Sequence, residues 1–177
     1  MKINYLSSVS LLATTAIVLA ATPAYSEGNL SSETTFFCQT NNNTPTTLAK
    51  TNTGQVLPIF HWHEEALPAK LNLQEICNDV SEKLENYLVT EGDLSAISFK
   101  SAKLDNIPAI CLAGEQNDCN LLLLTLAPAE KPIKTANKVL ASILDSKLQE
   151  NKVISNERGV QSTAYQISFW ELLGFRF

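Results

Sequence analysis

The stretch His61-Trp62-His63-Glu64-Glu65 concentrates the side chains best suited to chemistry. On a strand, residues two apart project from one face, so His61 and His63 would stand about 7 Å apart. Together with Glu64 or Glu65 they offer the nitrogen and oxygen donors that Zn²⁺ or Cu²⁺ accepts. The chain has only two histidines, so a closed four-ligand site has no third imidazole to draw on. The plainer alternative is a solvated strand end with Trp62 turned into the core. No metal is therefore assigned, and His61, His63 and Glu64 are the residues to follow in the fold.

Other chemistries are poorly supplied. There is no G-x-S-x-G nucleophile elbow, and any triad would have to recruit His61 or His63. The six glycines are scattered, so no Gly-rich phosphate cradle exists. The acidic Glu115–Asp118 loop lacks the spaced oxygen ligands of a calcium loop. These absences point away from an enzyme and require no cofactor; a hydrolase is the third-ranked reading.

The four cysteines are Cys38, Cys77, Cys111 and Cys119. An even count in an exported chain reads as two disulfides. We expect Cys38–Cys77, tying a strand to a helix, and Cys111–Cys119, closing a short hairpin end. Loop-closure entropy gives about 4 kcal/mol for the longer link and about 2.5 kcal/mol for the shorter. A four-cysteine zinc site is the competing use, but no C-x-x-C pair is present and export favours oxidation.

Export itself is read from the first residues. Lys2 precedes the apolar run Leu6–Ala21, and Ala24-Tyr25-Ser26 is a small-x-small cleavage site, placing the cut between Ser26 and Glu27. The apolar run falls short of the roughly 20 residues a span requires, so no transmembrane segment is expected in the mature chain. Periplasm and thylakoid lumen use similar signals and both stay open. The net charge of −5, with no basic run to offset it, argues against nucleic acid as a partner.

The elements that must position these groups follow from periodicity. Leu73, Ile76, Cys77, Val80, Leu84, Tyr87 and Leu88 fall on one face of a helix over Asn72–Thr90, with Asn72 as its cap. A second amphipathic helix carries Ile133, Ala136, Leu140, Ile143 and Leu144, with Pro132 in its first turn. Strands are predicted over Thr34–Thr40, Thr44–Thr51, Gln55–His63, Asp93–Lys103, Ile107–Ala113 and Leu121–Leu126, with turns at Asn41-Asn42-Asn43 and Asp105-Asn106. The expectation is an α+β fold: one antiparallel sheet of these short strands, two covering helices and two disulfides. Residues 27–33 read as a loose arm, 34–148 as the stapled domain, and 149–177 as a linker followed by an aromatic C-terminal segment. That segment holds Tyr165, Phe169, Trp170, Phe175 and Phe177. It either covers the core or docks on a partner or membrane surface, where such rings settle.

Several features recur in a fixed order: Phe36-Phe37-Cys38, Pro45-Thr46-Thr47, Trp62, Cys77-x-x-Val80-Ser81, Pro108-Ala109-Ile110-Cys111-x-Ala113, Cys119 and Leu123-Leu124-Thr125-Leu126. In this set the chain resembles the circadian oscillating protein family of cyanobacteria over 36–144, with the C-terminal tail outside the resemblance. The resemblance implies an exported cyanobacterial protein with peripheral membrane association, and brings no established activity, cofactor or active site. Ile76 and His61 stand where the family commonly has arginine. The reading that follows is a non-enzymatic interaction protein whose partner is an unknown protein or membrane surface, with a His61/His63 metal module as the alternative.

Overall fold

The computed structural model describes residues 34–67, 71–91, 97–114, 119–157 and 160–167. Among the described residues, eight strands and two α-helices run in the order β1 (Thr35–Asn41), β2 (Thr44–Lys50), β3 (Val56–His61), α1 (Leu73–Glu91), β4 (Ser98–Leu104), β5 (Ile107–Ala113), β6 (Cys119–Thr125), α2 (Pro132–Ile143), β7 (Lys152–Glu157) and β8 (Val160–Gln166). Short 3₁₀ segments lie at Glu64–Ala66 and Ser146–Asn151. The α+β class stands, and the helices fall where the apolar periodicity puts them.

The single sheet does not stand. The strands form two antiparallel sheets, one ordered β1-β2-β3 and one ordered β6-β5-β4-β8-β7. The cause is competition for an edge. β5 takes one side of β4, and β8 takes the other through Ser98↔Gln166, Phe99↔Tyr165 and Lys100↔Ala164. Neither side of β4 is left for β3, whose outer side meets, among the described residues, only an isolated bridge, Phe60↔Leu144.

A second correction concerns 149–177. The 3₁₀ segment runs through Asn151, and β7 and β8 form a hairpin that completes the larger sheet. Residues 149–157 and 160–167 are therefore structure, not linker. β7 is an edge strand with Val153 and Ile154 exposed, so its sequence lacks the buried, alternating residues that reveal a strand.

Local chemistry explains the tight connections. The β1–β2 turn places Asn42 and Asn43 at φ 49° and 64°, and the β4–β5 turn places Asp105 and Asn106 at φ 46° and 67°. Asn and Asp tolerate this left-handed region better than other side chains, and two such residues in succession suit the twist of a hairpin. At the start of α1, Asn72 Oδ1 accepts the Glu75 N–H at 3.2 Å, the capping bond expected from sequence.

Both helices enclose one shared apolar core. α1 covers β1, β2 and β6 with Cys77, Val80, Leu84 and Leu88, while α2 covers β4, β5 and β8 with Ala136, Val139, Leu140 and Ile143. Phe60 joins the two halves: its ring lies 4.6 Å from Phe99 of β4 and 5.4 Å from Trp62. The Asp145 N–H donates to the Ile59 carbonyl at 2.9 Å, so the end of α2 is tied to β3. Cys38 bonds to Cys77, joining β1 to α1, and Cys111 bonds to Cys119 across β5 and β6. No helix among the described residues is long and apolar enough to cross a membrane.

Candidate functional site

The predicted strand stops at His61, the last residue of β3, and His63 lies beyond it as the cap of the 3₁₀ segment, so the fold separates the pair by partner. His61 Nε2 lies 2.9 Å from Asp145 Oδ2, and its Nδ1 lies 3.5 Å from Thr46 Oγ1. His63 Nε2 donates to the Ser142 carbonyl at 3.1 Å, and its Nδ1 faces Glu65 Oε2 at 3.4 Å. A ring nitrogen that donates to a carbonyl carries a hydrogen and has no lone pair for a metal. Glu64 is exposed in the following 3₁₀ turn. Among the described residues no three His, Cys, Asp or Glu side chains converge as a ligand set. The histidines instead fasten the end of β3 to the end of α2.

Trp62, between them, turns inward. It is buried, and its Nε1–H donates to Thr47 Oγ1 at 3.0 Å. Ser81 Oγ donates to the same oxygen at 3.3 Å. One buried threonine hydroxyl therefore serves the strand tryptophan and α1 together.

Of the aromatic residues proposed for docking, Tyr165 is corrected. It lies in β8, pairs with Phe99 and is 2 % exposed. Burial pushes its phenol pKa above the ordinary tyrosine range. A tyrosine raised in this way contributes stability at and below the ordinary pKa, lost as pH climbs through the raised value. Phe169, Trp170, Phe175 and Phe177 lie outside the described residues.

The strongest candidate site lies elsewhere, where α2 begins beside β4 and β8. An open groove of about 640 Å³ is lined by three lysines: Lys103 at the end of β4, and Lys131 and Lys134 at the start of α2. Pro132 and Ile133 supply its apolar part, and Asn106, Asn137 and Gln161 supply amides. None of the three lysines takes part in an ion pair; the described ion pairs involve His61, His63 and Lys83. Glu130 is the one acid in the lining.

Two features give this groove the character of a built site. The first is charge placement. A helix start carries partial positive charge and favours acids, yet α2 has no acid in its first turn, and lysines stand at the cap and in that turn. Such a break with a stability rule is where function is sought. The second is a positioned donor. The Thr163 N–H donates to Asn137 Oδ1 at 3.1 Å, and Ser101 Oγ donates to the same oxygen. A backbone N–H can only donate, so the atom facing it is the oxygen. Asn137 lines the groove, and its amide NH₂ makes no hydrogen bond among the described residues.

Sequence reasoning missed this cluster. Lys103 is 28 positions from Lys131, and no local run reveals that β4 and α2 lie side by side. The available signal was narrower: two lysines and no acid at the start of a predicted helix.

No curated protein matches the chain, and no solved structure matches it. The family model for circadian oscillating protein COP23 matches residues 35–173. That match extends the family region past the expected limit at 144, through the β7–β8 hairpin and into the tail. Four-fifths of the chain is thus accounted for by one family model, and the protein belongs to the circadian oscillating protein COP23 family.

Proposed function

We propose that the chain is an exported, non-enzymatic interaction protein and that its contact surface is the lysine-lined groove beside α2. The observation that carries this reading is the set of three lysines, none ion-paired, gathered around one opening in a chain whose net charge is −5. An open groove with mixed apolar and polar walls suits recognition. The groups with most catalytic potential are engaged in holding the fold: the histidines between β3 and α2, the four cysteines in two disulfides. Two disulfides suit an oxidising compartment, and the leader-like start supports export to the periplasm or thylakoid lumen.

A photo-crosslinking residue at Asn106, on the groove rim, tests the surface in intact cells. It should yield a specific adduct that the same residue at Glu82, exposed on α1, does not. Equal labelling from both positions would remove the groove from consideration.

Peripheral membrane association belongs to the same proposal, and the residues past Ile167 support it by composition: Phe169, Trp170, Phe175 and Phe177 are the rings favoured at a membrane interface. A chain ending at Ile167 should move from the membrane to the soluble fraction of broken cells. Unchanged membrane recovery would end the tail's part in docking.

A further inference from the structure

The groove's chemistry narrows what can occupy it. Three lysines from two elements line the groove, and the Asn137 NH₂, from a residue of the same lining, is also a donor. A donor-rich wall with several positive charges selects a compact anion carrying several acceptor oxygens. A carboxylate offers two acceptor oxygens in one plane, whereas a tetrahedral oxyanion offers three or more aimed in different directions, which suits donors arriving from two elements. The remaining lining differs in kind. Asn106 and Gln161 are exposed amides able both to donate and to accept, and Glu130 only accepts. Hydroxyl groups answer that second set, since each can donate to Glu130 or an amide oxygen and accept from an amide NH₂. The volume of about 640 Å³ exceeds what a lone oxyanion fills and lies within the range of small-molecule sites.

We infer that the groove binds a phosphate or sulfonate group carried on a small hydroxylated moiety: the oxyanion against Lys103, Lys131, Lys134 and the Asn137 NH₂, the hydroxyls toward Asn106, Gln161 and Glu130. The inference rests on the reading of this groove as the contact surface. The same chemistry is presented by a free polyol phosphate and by the headgroup of an anionic glycerolipid. The lysines at the start of α2 then have a use that offsets their unfavourable placement.

The test uses the exported chain, labelled with ¹⁵N, at low ionic strength, where exposed charges are least screened. Glycerol 3-phosphate should shift the Ile133 and Lys134 amides and the Asn137 side-chain NH₂ saturably, and more tightly than inorganic phosphate does. Lys131→Gln/Lys134→Gln should weaken this binding at least about tenfold, the loss expected for charge-assisted hydrogen bonds. Lys103→Gln should weaken it separately, and Lys147→Gln, away from the groove, should not. The Gln variants should melt at or above the unaltered chain, because the removed charges oppose the helix dipole; weaker binding is then not a folding defect.

A second arm uses vesicles of phosphatidylglycerol and of phosphatidylcholine. Vesicle binding restricted to the anionic lipid and lost in the double variant identifies a headgroup; glycerol phosphate binding with no vesicle binding identifies a soluble ligand. Linear shifts that the variants leave unaltered would overturn the inference. A protein crosslinked at Asn106 without any anion effect would overturn it while keeping the interaction surface. Absence of both would remove both.

Discussion

Replacing Trp62 with alanine is expected to lower the unfolding free energy by about 3–5 kcal/mol. The indole is 1 % exposed and is the largest fully buried side chain among the described residues. Its removal leaves a cavity at the junction of the two sheets, beside Phe60, whose ring packs at a tilt against Phe99. It also removes one of the two donors to the Thr47 hydroxyl. Trp62→Phe separates the terms: most apolar area stays, the N–H bond goes, and the cost should fall to about 1–2 kcal/mol. Urea unfolding of the three chains gives both numbers. A midpoint for Trp62→Ala within experimental error of the unaltered chain would show that this junction does not hold the halves together.

Loss of the Cys38–Cys77 link is expected to cost about 4 kcal/mol, and loss of Cys111–Cys119 about 2.5 kcal/mol. The sequence separations are 39 and 8, and the closed loop with more chain restricts the unfolded ensemble more. Against the 5–15 kcal/mol typical of a domain, the first loss alone brings the fold near its limit. The variants for the measurement are Cys38→Ala/Cys77→Ala and Cys111→Ala/Cys119→Ala, unfolded in urea without reductant. Cys77 is wholly buried and its Sγ lies 3.8 Å from the Thr47 Oγ1, so alanine there also removes the acceptor of that hydroxyl and adds to the measured loss. A larger loss from the shorter link would show that loop closure is not the source of the stabilisation.

The same molecule separates what a sequence declares locally from what only topology creates. α1 was legible because seven apolar residues repeat at helical spacing behind a capping Asn. The Asn-Asn and Asp-Asn turns were legible because few other residues take left-handed φ. The partition into two sheets was not, because it depends on β8 reaching β4 from more than sixty residues away. β7 was hidden for a different reason: a half-exposed edge needs little apolar patterning. In the candidate site, the His61–Glu65 stretch stood out on residue type alone, yet its side chains brace the end of α2. The groove lysines carried no motif, and only the packing of α2 on β4 and β8 assembles them with Asn137.

The connectivity of the sulfur links bears on how the chain is made. The first cysteine pairs with the second and the third with the fourth, and the two closed loops neither overlap nor nest. A polypeptide threaded out N-terminus first presents Cys38 and Cys77 to an oxidant before Cys111 and Cys119 arrive, and domains form in that same direction. Each newly emerged thiol then finds its proper mate as the nearest one still unpaired. Oxidation in order of emergence would therefore give the native pairing directly, with no bond to reshuffle.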